Sequence, residues 1–147
     1  MNGSEAAPDI EPGEWINSQL LTLRELRGDV VLLEFWTFGC YNCRNTLPFL
    51  NAWHKTFSIE KFAIIGVHTP EFESEKRIDL VRRRVLELAI EYPVITDNES
   101  RTWSAYKQRY WPVMYLIDKK GIVRYVYTGE GAYDETERKI RELLAED

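Results

Sequence analysis

The chain has 147 residues, about one domain's worth, and at that length folding removes roughly 68–70% of the unfolded surface from water, enough for one core. Its 44% apolar, 29% charged and 13% aromatic residues exclude a disordered or collagen-like chain. A net charge of -5 argues against sequence-independent binding to nucleic acid or to an anionic membrane, either of which calls for a basic excess.

Residues 1–14 (MNGSEAAPDIEPGE) carry prolines, glycines and acids with little to bury and read as a flexible N-terminal lead-in, so that 15–147 forms the single domain. Residues 18–28 suggest a short strand or a turn of helix ending at Gly28. Val30 to Trp36 is a nearly continuous apolar run with one acid, Glu34, as in a strand covered on both faces. A helix follows from Cys40 or Tyr41 to about Phe57, with Leu47, Leu50 and Trp53 at helical spacing and Pro48 interrupting it. Phe62 to Val67 predicts a second buried strand, and Glu75 to Ile90 an amphipathic helix with Ile78, Val81, Val85 and Leu88 inward. Tyr92 to Thr96 reads as a short strand, then a helix from about Glu99 to Gln108 capped by Asp97 or Asn98. Val113 to Ile117 and Ile122 to Tyr127 form a hairpin around Asp118-Lys119-Lys120-Gly121, and Tyr133 to Ala145 closes the chain as a helix. Strands alternating with helices imply an α/β fold: a mixed sheet with a parallel core and an antiparallel edge hairpin, flanked by helices.

The only two cysteines, Cys40 and Cys43, are spaced C-x-x-C, too few for a disulfide scaffold and half of a four-cysteine zinc site. They lie where a strand gives way to a helix. Unpaired N–H groups and the helix dipole at that end stabilise a thiolate, lowering a cysteine from about 8.5 into a range of ~3.5–7.5. Cys43, about one turn on, is within reach of Cys40 and should be the more buried: Cys40 attacks and Cys43 resolves. A closed zinc site needs two further ligands. The only histidines, His54 in mid-helix and His68 after a separate strand, read as structural or surface groups, so no metal is expected.

Taken together, Glu34-Phe35-Trp36-Thr37-Phe38-Gly39-Cys40-Tyr41-Asn42-Cys43, Pro48, Gly66-Val67-His68-Thr69-Pro70-Glu71-Phe72, Arg109-Tyr110-Trp111-Pro112 and Gly129-Glu130-Gly131 resemble the thioredoxin superfamily. The likeness is strongest to TlpA/DipZ-like thioredoxin domains and covers nearly the whole chain after residue 9. It implies a thioredoxin-like fold in which Pro112 is the family's cis-proline beside the cysteines. The backbone of Trp111 would pair with an extended partner segment. Glu34 stands where thioredoxins carry a buried Asp, which implies a raised pKa and a role in taking the proton of Cys43. Tyr41-Asn42 replaces the Gly-Pro of typical thioredoxins, so redox direction and potential do not carry over. Phe38, Tyr41 and Asn42, with Trp111 and Pro112, are the expected substrate contacts, and Trp36 and Tyr110 either join an aromatic collar or belong to the core. Some TlpA-like reductases carry a glutamate where this chain has Thr46, and Glu71 reads as a solvated loop acid. Arg82-Arg83-Arg84 reads as a solvated helix face.

The resemblance implies a thiol-disulfide oxidoreductase acting on protein disulfides or dithiols, with an upstream thiol reductant or oxidant and no metal or organic cofactor. Two alternatives stay open: a peroxiredoxin-type thiol peroxidase, which Arg44 with Thr37 or Thr46 only loosely imitates, and a non-catalytic redox-sensing or docking module. A monomer is expected. The start of the chain lacks the basic and apolar regions of a signal peptide, and nothing approaches the roughly 18 apolar residues of a bilayer span. These features point to a cytoplasmic protein; the alternative is an extracytoplasmic domain of a longer or membrane-anchored one.

Overall fold

A computed structural model describes residues 5–147. In chain order the elements are β1 (Trp15–Ile16), β2 (Val30–Trp36), α1 (Tyr41–Thr56), β3 (Phe62–His68), a 3-10 turn (Glu73–Lys76) and α2 (Ile78–Glu87). Then come β4 (Val94–Thr96), α3 (Arg101–Ala105), β5 (Val113–Ile117), β6 (Val123–Thr128) and α4 (Tyr133–Leu144). The six strands form one sheet in the order β1, β4, β3, β2, β5, β6. β2, β3 and β4 run parallel, with Val30 opposite Phe62 and Trp36 opposite His68, while β5 lies antiparallel on β2. The result is the expected mixed sheet with a β5-β6 edge hairpin, extended by the short antiparallel β1. The hairpin closes at Gly121, whose φ of 84° favours glycine and whose N–H donates to the Asp118 carbonyl.

β2 is buried at every position. Side chains alternate across a strand, so Val30, Leu32 and Trp36 enter one core and Val31, Leu33 and Phe35 another. The first is covered by three helices: Leu47, Leu50 and Trp53 of α1, Val81 and Val85 of α2, and Ile140 and Leu143 of α4. α1 runs through Pro48, giving up one backbone bond there because its apolar face remains packed.

The helices on the C-terminal side of β3 and β4 are shorter than their periodicity suggests. The stretch from Glu75 is first a 3-10 turn, breaks at extended Arg77, and resumes as α2 until Ala89 adopts φ 57°. α3 spans only Arg101–Ala105, after Ser100 at φ 56°. The Asp97 carboxylate still serves its first turn, accepting the N–H groups of Thr102 and Trp103 at 3.0 Å each.

Because α3 is so short, the second core needs further cover. Leu23 is buried within it, and Ala7, Ile10, Trp15, Leu21 and Leu26 pack against it; residues 23–28 form turns, in place of the strand or turn of helix expected for residues 18–28. Of the lead-in expected over residues 1–14, residues 1–4 lie outside the described residues and residues 5–14 are hydrogen-bonded to the domain. The N–H of Val123 donates to the Glu5 carbonyl and that of Ala7 to the Gly121 carbonyl, bonding this segment beside the start of edge strand β6. Tyr106 Oη donates to the Pro8 carbonyl at 2.8 Å, and the N–H groups of Glu11 and Glu14 donate to the Thr102 and Thr96 hydroxyls at 3.0 and 2.9 Å. Composition hides this because most of these anchors are backbone groups, which any sequence supplies.

Deleting residues 1–14 should therefore destabilise the domain. Losing the three side-chain-to-backbone bonds at about 1 kcal/mol each lowers Tm by roughly 6–12 °C. An unchanged melting curve by circular dichroism would show that the segment contributes nothing to the fold.

Candidate active site

The C-terminal end of β2 carries the chain from the buried Thr37 through Phe38 and Gly39 to Cys40, which is the N-cap of α1 with extended φ and ψ of -87° and 117°. Its Sγ accepts the backbone N–H of Cys43 at 3.2 Å, as a capping side chain does. Both cysteines are free thiols; Cys40 is half-buried and Cys43 has no exposed surface. The Cys40 pKa is pushed down to about 7, chiefly by the hydrogen bond from the Cys43 side chain, with the N–H groups of Cys43 and Asn42 helping and partial burial opposing. Burial pushes the Cys43 thiol in the other direction, and its bond to Cys40 and the nearby Glu34 add to the rise. Two thiols one helical turn apart thus have opposite tendencies.

Glu34 points from β2 into the core beneath them and is fully buried. Desolvation raises its pKa to about 8, against the lowering effect of the Thr46 hydroxyl. Thr46 Oγ1 lies 3.1 Å from Glu34 Oε2 and 2.7 Å from the Cys43 carbonyl. A hydroxyl has one proton to give. Thr46 gives it to either of the two acceptors within reach, Glu34 Oε2 or the Cys43 carbonyl. Oε1 has no hydrogen-bond partner among the described residues. Thr46, at the position of some relatives' glutamate, therefore joins Glu34 to the Cys43 backbone.

Trp111 and Pro112 lead into β5, whose first residue Val113 lies opposite Phe35 near the end of β2. The peptide between Trp111 and Pro112 is cis, the Pro112 carbonyl accepts the N–H of Gly129, and Trp111 Nε1 donates to the Thr69 carbonyl at 2.9 Å. The Trp111 ring lies 4.1 Å from that of Trp103. Tyr41, Asn42 and Tyr110 are exposed and Phe38 half-buried, whereas Trp36 belongs wholly to the core. Arg84 reaches over the Phe38 ring at 5.7 Å, so one member of the arginine run does more than face solvent. Arg82 pairs with Glu14.

Other candidates separate from the cysteines. Of the loose peroxidase-like set, the Thr37 hydroxyl donates to Glu75, that of Thr46 lies against Glu34 and the Cys43 carbonyl, and Arg44 is exposed. Glu71 is exposed, yet its charge still opposes ionisation of Cys40. His54 is half-buried, edge-on to Tyr92. Among the described residues no group of three or more His, Cys, Asp or Glu is placed to hold a metal ion, and no helix is long and apolar enough to cross a membrane.

Two residues given no role at this site by the sequence, His68 and Glu75, stand behind the turn together with Thr37. His68 is buried, and its Nε2 accepts the N–H of Phe38 at 3.2 Å and lies 3.3 Å from Thr37 Oγ1. Burial lowers its pKa to about 4, despite Glu75, and keeps the ring neutral. Thr37 and Glu75 complete the group. For His68 the signal was its place at the end of a buried strand; Glu75, between exposed Ser74 and Lys76, gave none.

Residues 4–126 match the AhpC/TSA family. Protein DipZ of Mycobacterium tuberculosis is 42% identical over 142 residues, covering 94% of this chain and 20% of that protein. The chain thus spans about a fifth of that relative's length. Thiol-disulfide oxidoreductase YkuV of Bacillus subtilis is 25% identical over 133 residues, covering 90% of this chain and 88% of that one. The crystal structure of a thioredoxin-like superfamily protein, 29% identical, covers 98% of this chain and 99% of its own with a TM-score of 0.91. The chain therefore belongs to the AhpC/TSA family and has a thioredoxin-like fold.

Proposed function

We propose that this domain is a thiol-disulfide oxidoreductase that exchanges the Cys40-Cys43 pair with protein disulfides or dithiols, supplied with electrons by, or passing them to, an upstream thiol partner. One observation carries the reading: a half-exposed thiol of lowered pKa caps α1 directly above a fully buried second thiol. The similarity to YkuV, a protein named as a thiol-disulfide oxidoreductase, supports it.

In the reducing direction the Cys40 thiolate attacks one sulfur of a partner disulfide. The partner's S–S bond breaks, a mixed disulfide forms, and the departing thiolate takes a proton from water. Cys43 then loses its proton and attacks Cys40 Sγ, which expels the second partner sulfur, again protonated. Cys40-Cys43 is left oxidised and the partner has gained two electrons and two protons. The ionised form of Glu34, joined through Thr46 to the Cys43 backbone and more populated as pH rises towards 8, receives the Cys43 proton. Trp111 offers its main chain to an extended partner segment, with Pro112, Phe38, Tyr41 and Asn42 around it. The same steps reversed oxidise a dithiol.

The decisive experiment is exchange with insulin-like disulfides. Cys40→Ser should abolish turnover and Cys43→Ser should accumulate mixed disulfides; exchange by Cys40→Ser at the wild-type rate overturns the assignment. Stoichiometric reaction without turnover would favour the docking module.

Alkylation of the reduced protein by iodoacetamide should rise with pH around a midpoint near 7, tenfold per unit below it, and mass spectrometry should find the label on Cys40 while the fold is intact. Labelling of Cys43 at a comparable rate would contradict its enclosure.

Glu34 gives a pH signature of both rate and stability. Its carboxyl is raised from 4.5 to about 8, so the folded state holds a proton that the unfolded state has already released. The stability this brings is complete below pH 4.5 and drains away as pH rises to about 8, at roughly 1.4 kcal/mol per pH unit. In Glu34→Gln that loss should disappear in urea unfolding, and the rise of the Cys43 attack rate towards pH 8 should flatten. An unchanged rate profile would remove Glu34 from the proton transfer.

A further inference from the structure

Glu75 is a buried acid, 3% exposed, in the turn between β3 and α2. Among the described residues no Lys, Arg or His pairs with it in a salt bridge. Instead its Oε1 collects three donors: the Thr37 hydroxyl at 2.7 Å, the N–H of Glu71 at 2.8 Å and the N–H of Phe72 at 3.3 Å. Its Oε2 lies against Gly39, where a Cβ would come within 2.1 Å of it, so only glycine lets the carboxylate approach so closely. A buried carboxylate with no cation beside it is a poor device for stability. These donors and Gly39 belong to two loops: 37–39, which leads into Cys40, and 71–72, which brings the Glu71 charge near the same sulfur.

The path to the nucleophile is short. Thr37 gives its hydroxyl proton to Glu75 and its carbonyl accepts the N–H of Cys40 at 3.1 Å. His68, held neutral, takes the N–H of Phe38 between them. The turn from Thr37 to Cys40 is thereby held at a side chain, at an amide and at a glycine, and Glu75 supplies two of the three holds.

We propose that Glu75 is a positioning residue of the exchange site: it locks Thr37, and through Thr37 the turn that presents Cys40, against the loop of Glu71 and Phe72. This rests on the exchange reading above. With the lock open, Cys40 Sγ drifts from the N–H groups that favour its thiolate. The proposal involves no charge transfer and no contact of Glu75 with a substrate.

The test is the thiolate absorbance of reduced protein titrated near 240 nm, which needs no partner protein. Thr37→Val keeps the shape and removes only the hydroxyl. Its Cys40 midpoint should rise by about half a pH unit or more, a roughly threefold fall in the ionisation constant and about a twofold loss of thiolate at pH 7, and Thr37→Ser should restore the wild-type value. Glu75→Gln should move the midpoint clearly in the wild-type background and little in Thr37→Val, because both variants open the same lock. Equal shifts in the two backgrounds would mean that Glu75 acts only by its field. That result would overturn the proposal, as would a midpoint that stays put in Thr37→Val or is not restored by Thr37→Ser. Failure of the wild-type protein to exchange disulfides would instead sink the functional reading and leave the titration to be judged by itself.

Discussion

The alternation of β2 is the constraint on which the rest depends. Seven consecutive buried residues admit no solvent face, so each side chain must be matched by a cover on its own side of the sheet. On one side the covers are α1, α2 and α4, and the same parity that sends Leu32 and Trp36 there also sends Glu34. An acid in that row is dehydrated by its neighbours, which is why its pKa rises and why it ends beneath the cysteines. On the other side α3 is only five residues long, and the N-terminal segment completes the layer. One strand's periodicity therefore accounts for the proton-holding group and for the packing of residues that composition alone would leave free.

The electrostatics of the pair follow from an equally local cause. Both thiols sit in the first turn of α1, yet one caps it and the other lies inside it. The Cys43 thiol donates to the Cys40 sulfur, which lowers one pKa and raises the other; amide donors at the cap add to the first effect and burial above Glu34 to the second, outweighing a Thr37 backbone bond. A helix start, with N–H groups outward and a packed face inward, provides both settings.

Much of this was legible in the residues. The β-branched run of β2, the α1 periodicity and the C-x-x-C spacing at their junction carry strong local signals, and the resemblance singled out Pro112. Boundaries were less legible where a single backbone angle decides them, as at Ser100 and Ala89, whose left-handed φ no residue type there announces. Glu75 was illegible for another reason. Its meaning lies in donors 38 residues away at Thr37 and in the missing side chain of Gly39, and a sequence window records neither. The anchoring of residues 5–14 is hidden in the same way, since main-chain hydrogen bonds leave no trace in composition.

The unequal exposure of the two sulfurs has one more consequence. Since Cys43 has no surface, any adduct, whether a partner protein, a small thiol or an adventitious disulfide, can form only on Cys40. It then sits one helical turn from the thiol able to expel it. The site is in this sense self-clearing: an adduct lodges on the one sulfur that the buried thiol is placed to attack.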